Sequence, residues 1–195
     1  LLGLSELRGL IRSNPVKKVG ALKLEKTMKK PFAAEELEAL REGCKELRDR
    51  ALVEFLYSTG VRVSELAALN VADIEMGKQE LIVYGKGSKE RKTYLTDSAK
   101  FHLRRYLQER DAKPDEPLFV TLDAPHDRLS VAGIQYMLRQ LGRRAGVTGV
   151  HPHRFRRTIA TDLLNRGMPI EQVKEFLGHE KLDTTMIYCA VRLRA

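Results

Sequence analysis

The residues best suited to chemistry in this chain lie between residues 151 and 188. This stretch holds three of the chain's five histidines, an adjacent pair of arginines and a late tyrosine. These residues are His151, His153, Arg156, Arg157, His179 and Tyr188. Arginine and histidine donate hydrogen bonds to anionic oxygens, and a tyrosine hydroxyl can act as a nucleophile. Basic donors near one hydroxyl indicate phosphate chemistry.

Other kinds of catalytic site fit the sequence poorly. It contains no G-x-S-x-G, H-E-x-x-H or P-loop motif, and its Asp and Glu residues are scattered, so no paired-carboxylate magnesium site is predicted. Gly85-Lys86-Gly87 is too short to cradle a nucleotide. Cys44 and Cys189 form no C-x-x-C pair and are predicted to be reduced thiols. Any phosphoryl transfer is therefore predicted to proceed without a metal.

Attack on a phosphodiester without a metal requires a nucleophile, cations on the two non-bridging oxygens and an acid for the leaving oxygen. Arg62 and Arg156 are the best candidates for the cations, because a planar guanidinium stays charged and donates in two directions. Lys86 lies between glycines that let the backbone approach DNA closely, and it is our candidate for the acid, with Lys89 second. His153 precedes Arg156 by three residues, which places both on one helical face.

Helical periodicity dominates the elements that must position these residues. Helices are predicted over residues 34–44, 47–58, 61–69, 96–110 and 130–144, and through the closing third of the chain. Between them, residues 81–84 and 93–95 favour β-structure and flank a basic tip at residues 85–91, which predicts a small antiparallel sheet. Gly60 and Gly178 are predicted to end helices. The fold class is mainly α with a small antiparallel β-sheet (α+β).

The length of 195 residues predicts one domain of ordinary size, or one domain with a short appendage. Leucines over residues 1–12 indicate the last helix of an upstream domain, and the lysine-rich residues 16–30 indicate a linker that crosses a phosphate backbone or a solvated tether. The main domain is predicted to span residues 31–195. A net charge of +9 and a pI near 9.6 favour nucleic acid as partner. The sequence has no membrane span or signal peptide pattern, so we expect a cytoplasmic protein.

Five short motifs then occur in the order seen in the tyrosine recombinases, the phage integrase family. They are T-G-V-R-V-S-E-L, G-K-G-S-K-E-R, H-x-F-R-R-T-x-A-T, L-G-H and T-T-x-x-Y. Each motif alone is weak, but five in order are highly specific. The chain resembles the catalytic domain of that family over about residues 31–190, and the resemblance implies that domain's fold.

The resemblance implies how the scissile phosphate is held and how the leaving group is protonated. Arg62 resembles the first active-site arginine of the family, and Glu65 resembles the residue that supports it. Arg156 resembles the second phosphate clamp. Lys86 resembles the hairpin lysine that serves as general acid.

The resemblance also implies the nucleophile. Tyr188 matches the tyrosine that forms a 3′-phosphotyrosine bond and frees a 5′-hydroxyl, which conserves bond energy and makes ATP, a metal or another cofactor unnecessary. His153 matches a proton-handling donor, and His179 matches a later histidine that steadies the phosphate. Arg157 replaces a second histidine found in many relatives, and Phe155 replaces a frequent leucine; neither change removes an expected catalytic group.

These roles predict a site-specific DNA recombinase or integrase that acts on double-stranded DNA of a phage or other mobile element. A homotetramer is expected on DNA for the full-length protein, which would carry an upstream core-binding domain. One alternative is a nicking and closing enzyme similar to type IB topoisomerases. The other is a non-catalytic regulator, because residues 158–178 resemble a helix-turn-helix. Simple DNA binding has no use for the arginine, lysine and tyrosine set, which favours an enzyme.

Overall fold

The structure is a computed structural model that describes residues 30–85 and 90–178. Within these ranges it contains a two-stranded sheet and a set of α-helices. The helices are α1 (Ala34–Glu42), α2 (Leu47–Thr59), α3 (Val63–Ala68), α4 (Asp97–Glu109), α5 (Val131–Ala145), α6 (Pro152–Asn165) and α7 (Ile170–Leu177). The strands β1 (Glu80–Tyr84) and β2 (Glu90–Tyr94) pair antiparallel. The predicted fold class, mainly α with a small antiparallel sheet, is confirmed.

The helices begin and end at residues whose side chains or backbone conformations favour a helix terminus. Gly60 and Gly178 follow α2 and α7 in the left-handed conformation, with φ of 56° and 63°. Thr96 and Ser130 accept hydrogen bonds from backbone N–H groups in the first turns of α4 and α5. Pro152 occupies the first turn of α6, where its missing N–H costs nothing.

Most boundaries differ from the sequence prediction by one or two residues, and two of the differences move arginines of interest. Arg62 precedes α3 as its N-terminal cap residue, whereas the pattern placed it inside the helix. Strand β2 begins at Glu90, inside the predicted hairpin tip, because its backbone pairs with Tyr84. Arg91 therefore belongs to the sheet, where it pairs with Val83.

Helix α2 is the centre of the packing. It packs against α4 on one side and α6 on another, and its side chains Leu52, Phe55 and Leu56 are fully buried. A second, smaller apolar cluster joins α6 to α7. Its buried members are Ala160, Leu164, Val173 and Leu177. This packing brings the C-terminal ends of α2 and α7 together beside α6.

Several sequence predictions fall outside the described residues. They concern Lys86 and Lys89, the helix over residues 1–12, the linker over residues 16–30 except its last residue, and His179 and Tyr188. Within the described ranges, no helix is long and apolar enough to cross a membrane.

Candidate active site

Arg62 is held by the short helix that it precedes. Its backbone N–H donates to Glu65 Oε2 at 2.8 Å, and its Nη1 donates to Glu65 Oε1 at 2.8 Å. A glutamate at the third helical position commonly reaches back to the cap residue in this way. The Glu65 side chain is 3% exposed and the Arg62 side chain 38% exposed, so the carboxylate is an internal support for a guanidinium that reaches the surface.

Arg156 lies on the inner side of α6 and is buried. Its Nη1 donates to the carbonyl oxygen of Gly60, at the end of α2, and its Nη2 donates to the carbonyl oxygen of Leu177, at the end of α7. Glycine suits position 60, since a Cβ there would lie 3.0 Å from Ile159 Cγ2 and the φ is positive. One arginine thus joins three helices that are far apart in sequence.

The C-terminal end of α7 is where the arginines meet. Three successive carbonyl oxygens accept from three different guanidiniums: Phe176 from Arg91 at 2.7 Å, Leu177 from Arg156, and Gly178 from Arg62 at 2.8 Å. The last carbonyls of a helix have no partner within the helix and carry its negative dipole end, so cations are favoured there. The backbone that leads directly to His179 is therefore fixed by three arginines.

Positive charge exceeds negative charge among these three arginines and Glu65. Arg62 and Arg91 share the carboxylate of Glu65, and Arg156 contributes a third guanidinium. Burial raises the pKa of the Glu65 carboxyl, but hydrogen bonds from Arg91 and Arg62 outweigh burial, and the net pKa is lower than usual. Glu65 is consequently ionised at neutral pH. We name Arg62, Glu65, Arg91 and Arg156 the site cluster; its formal charge is positive and suits a phosphodiester.

His153 lies on the first turn of α6 and is exposed. Its ring centroid is 6.3 Å from that of His151, the cap residue of the same helix. A surface groove beside these two rings is lined by basic side chains from α5, Arg139 and Arg143. His153 is therefore at the open side of α6, one turn from the buried Arg156.

Of the predicted site residues, the structure joins Arg62 to Arg156 through the end of α7 and places His153 nearby on the surface. Lys86, His179 and Tyr188 lie outside the described residues, although Gly85 and Gly178, which precede two of them, line one groove with Arg62. Sequence reasoning missed Arg91. Its only signal was its position as the last residue of the G-K-G-S-K-E-R motif.

The fold and this cluster define a helical protein with an arginine-rich site for an anion. A sequence model of the phage integrase family matches residues 26–194. The chain belongs to that family, as its five motifs predicted.

Similar proteins include tyrosine recombinases of bacteria. Tyrosine recombinase XerC of Leptospira interrogans is 36% identical over 190 residues, which cover 93% of this chain and 61% of that protein. Tyrosine recombinase XerC of Listeria monocytogenes is 38% identical over 195 residues, covering 93% of this chain and 64% of the relative. The chain thus spans somewhat over three fifths of the length of these relatives.

Solved structures show the same fold. The XerA recombinase superposes with a TM-score of 0.76 at 32% identity, covering 87% of this chain and 61% of that one. The XerH site-specific recombinase, in a post-cleavage complex with a palindromic difH substrate, gives a TM-score of 0.70 at 25% identity, covering 85% of this chain and 50% of that one.

Proposed function

We propose that this chain is the catalytic part of a site-specific DNA recombinase. Residues 31–195 would form the catalytic domain, and residues 1–30 the end of an upstream core-binding domain with a basic linker. The observation that carries the proposal is the convergence of Arg62, Arg91 and Arg156 on the end of α7, directly before His179. Membership of the phage integrase family and the XerC relatives support it.

In the proposed reaction, the Tyr188 hydroxyl oxygen attacks the scissile phosphorus while its proton passes to His153. A bond forms between that oxygen and the phosphorus, and the bond from phosphorus to the 5′-oxygen breaks. Lys86 donates a proton to this leaving oxygen, which becomes a 5′-hydroxyl. The product is a 3′-phosphotyrosine, and a 5′-hydroxyl from another strand reverses the same steps to rejoin DNA. Because the phosphotyrosine conserves the bond energy, the scheme uses neither ATP nor a metal.

The arginines stabilise the negative charge that builds up on the non-bridging oxygens. A guanidinium has five N–H donors, and Arg62 uses one from each terminal nitrogen for Glu65 and Gly178. These bonds hold the guanidinium plane in place before DNA arrives, so little reorganisation is needed during the reaction. Arg156 acts as the second clamp, and His153 and His179 assist proton handling and phosphate positioning.

Double-stranded DNA is the proposed substrate. The net charge of +9 favours it, and the structure of the XerH relative holds a palindromic DNA substrate. A palindromic site matches subunits related by two-fold symmetry. One palindromic site would thus hold a pair of subunits, and exchange of strands joins two such sites. On this basis we propose that the complete protein recombines DNA as a homotetramer, in the bacterial cytoplasm that the sequence leads us to expect.

Capture of a covalent complex tests this function. The complete protein is incubated with a library of randomised DNA duplexes, each nicked so that a short 5′-hydroxyl fragment diffuses away after cleavage. Denaturation-resistant complexes are isolated, and their DNA is sequenced to give the preferred site. We expect covalent complexes with the wild-type protein and none with Tyr188→Phe, which has no hydroxyl.

Strand transfer distinguishes a recombinase from a nicking and closing enzyme. For this test the protein is kept folded, and a second duplex with the selected site and a labelled 5′-hydroxyl strand is added to the native covalent complex. A recombinase should join this strand to the first duplex. If the Tyr188→Phe variant still formed a covalent adduct, Tyr188 would not be the nucleophile. If the protein rejoined only the original strand, the topoisomerase-like activity would be favoured.

A further inference from the structure

Arg91 is a buried arginine that the proposed reaction leaves without a role. It is the second residue of β2, and its side chain is 9% exposed. Its Nη2 donates to Glu65 Oε2 at 2.6 Å, and its Nη1 donates to the carbonyl oxygen of Phe176 at 2.7 Å. Arg91 thus connects the sheet, the start of α3 and the end of α7.

The contact with Glu65 determines how that carboxylate is oriented. Glu65 Oε2 accepts from Arg91 and from the backbone N–H of Arg62, while Oε1 accepts from the Arg62 guanidinium. Loss of Arg91 would leave Oε2 with the backbone bond alone. The carboxylate could then rotate about its side chain, and the Arg62 guanidinium would lose its fixed support.

The burial of Arg91 is difficult to explain by stability alone. A buried guanidinium loses its hydration, and well-packed apolar residues often replace buried ion pairs without loss of stability. Its Nε is buried and has no hydrogen-bond partner in the described part of the chain. Gly178 makes room for it, since a Cβ there would lie 2.5 Å from Arg91 Cδ. The fold accommodates this arginine at some cost.

We propose that Arg91 is a positioning residue that fixes the Arg62 guanidinium against the scissile phosphate through their shared carboxylate, Glu65. Arg91 itself does not touch the DNA. The inference rests on the proposed function, because it assumes that Arg62 clamps a phosphate.

The test compares cleavage of three DNA substrates with the site selected above. One has an ordinary scissile phosphate. The second is a methylphosphonate, in which a methyl group replaces one non-bridging oxygen and removes the negative charge that Arg62 neutralises. The third carries sulfur in place of the 5′-bridging oxygen, so its leaving group needs little protonation. A variant that has lost the clamp should regain its cleavage rate on the methylphosphonate. A variant that has lost the acid should regain its rate on the sulfur substrate.

Arg91→Gln and Arg91→Lys are compared with wild type in the complete protein. A methylphosphonate has two diastereomers, one for each non-bridging oxygen that the methyl group can replace. Arg62→Ala shows which of them is cleaved without the clamp, and that diastereomer is used for all variants. Arg110→Gln is a matched control, because Arg110 is also a largely buried arginine that donates to a glutamate, Glu116, and to a backbone carbonyl. It too has a buried Nε with no hydrogen-bond partner in the described ranges. Thermal melting of each variant accompanies the rates, which are measured below the lowest melting temperature.

Loss of an outer-shell partner at a metal site costs about 10–100-fold, and we expect a similar loss of single-turnover rate for Arg91→Gln on ordinary DNA and on the sulfur substrate. On the methylphosphonate the loss should shrink to about 2-fold, as the clamp is no longer needed. Arg91→Lys should show the same pattern with a smaller loss, and Arg110→Gln should cleave all three substrates at the wild-type rate.

Two results would overturn the inference. Equal losses on all three substrates would mean that Arg91 only supports the fold, and relief by sulfur alone would mean that it acts through the acid. Failure of the proposed function is a separate result, since the wild-type protein would then form no covalent complex with any substrate.

Discussion

Two groups of arginines that surround buried carboxylates in this protein are built differently. The first is the site cluster. The second, which we name the fold cluster, lies at the start of α2 and its neighbours; its members are Arg41, Arg48, Asp49 and Glu54. In the fold cluster, Arg41 Nε lies 2.8 Å from Glu54 Oε1, and Arg48 Nη2 lies 2.7 Å from Asp49 Oδ1. Each of these guanidiniums is paired with a buried carboxylate.

The clusters differ in how many carboxylates accompany their guanidiniums. Arg41 and Arg48 each have a carboxylate partner, whereas the three arginines of the site cluster have one carboxylate, Glu65, among them. Arg48 also donates to the carbonyl oxygen of Val120. The more exposed Arg50 and Arg144 also approach the carboxylates of the fold cluster, at 3.2 and 3.5 Å. In the site cluster, backbone carbonyls at the end of α7 accept from every arginine, and these dipoles orient a guanidinium without cancelling its formal charge. The fold cluster therefore balances its charge internally, whereas the site cluster keeps an excess of positive charge that suits a phosphate.

The largest expected effect comes from removing the general acid, a role that we assign to Lys86 and not to the site cluster. Lys86→Ala should slow cleavage by about 10²–10⁴-fold, the usual contribution of a general acid. A 5′-sulfur substrate should restore the rate, and single-turnover formation of the covalent complex measures both. Lys92→Ala is the control, since Lys92 is on the same hairpin, exposed and paired with Glu80. If sulfur restored nothing, the acid would lie elsewhere, with Lys89 the next candidate.

The second prediction compares one arginine from each cluster. Arg156→Lys should reduce the single-turnover rate by about 10²–10³-fold, the scale for removing one transition-state donor, because an ammonium cannot hold the Gly60 and Leu177 carbonyls while facing a phosphate. Arg48→Lys should leave the rate of the folded protein unchanged and lower its melting temperature. A comparable rate loss in both variants would erase the distinction between the clusters.

The third prediction concerns the buried carboxylates. Glu54→Gln should destabilise the protein by about 1–3 kcal/mol, since it leaves the half-buried Arg41 with the exposed Glu38 as its remaining charged partner among the described contacts. Urea denaturation measures this change. Glu65→Gln should also destabilise the protein, because its partner Arg91 is more buried than Arg41, but unlike Glu54→Gln it should slow cleavage through Arg62. The account would be weakened if Glu54→Gln changed catalysis more than folding.

The smallest effect is a pH dependence of stability. The pKa of Glu65 in the folded protein is lowered from 4.5, so its ionisation stabilises the fold above about pH 4.5 and this contribution is lost as pH falls through the lower, folded pKa. The difference in melting temperature between wild type and Glu65→Gln should therefore be constant near neutral pH and narrow below about pH 4.5. A difference that stays constant down to pH 3 would contradict the assignment.

The sequence predicted the helices well because their signals are local. Gly60 and Gly178 end helices through their own backbone freedom, and Ser130 caps α5 through its own hydroxyl. The role of Arg91 could not be predicted, because its partners Glu65 and Phe176 are 26 and 85 residues away and come together only through packing. The motif order indicated Arg62 and Arg156, but not that the end of α7 joins them.

Tyr188 is proposed to form a covalent bond to the 3′ end of the cut strand. Proteolysis of the captured complex, nuclease trimming of its DNA and mass spectrometry of the remaining peptide test this claim directly. We expect a peptide that contains Tyr188 with a nucleotide attached through its 3′-phosphate. A nucleotide on another residue, or one attached through a 5′-phosphate, would contradict the account.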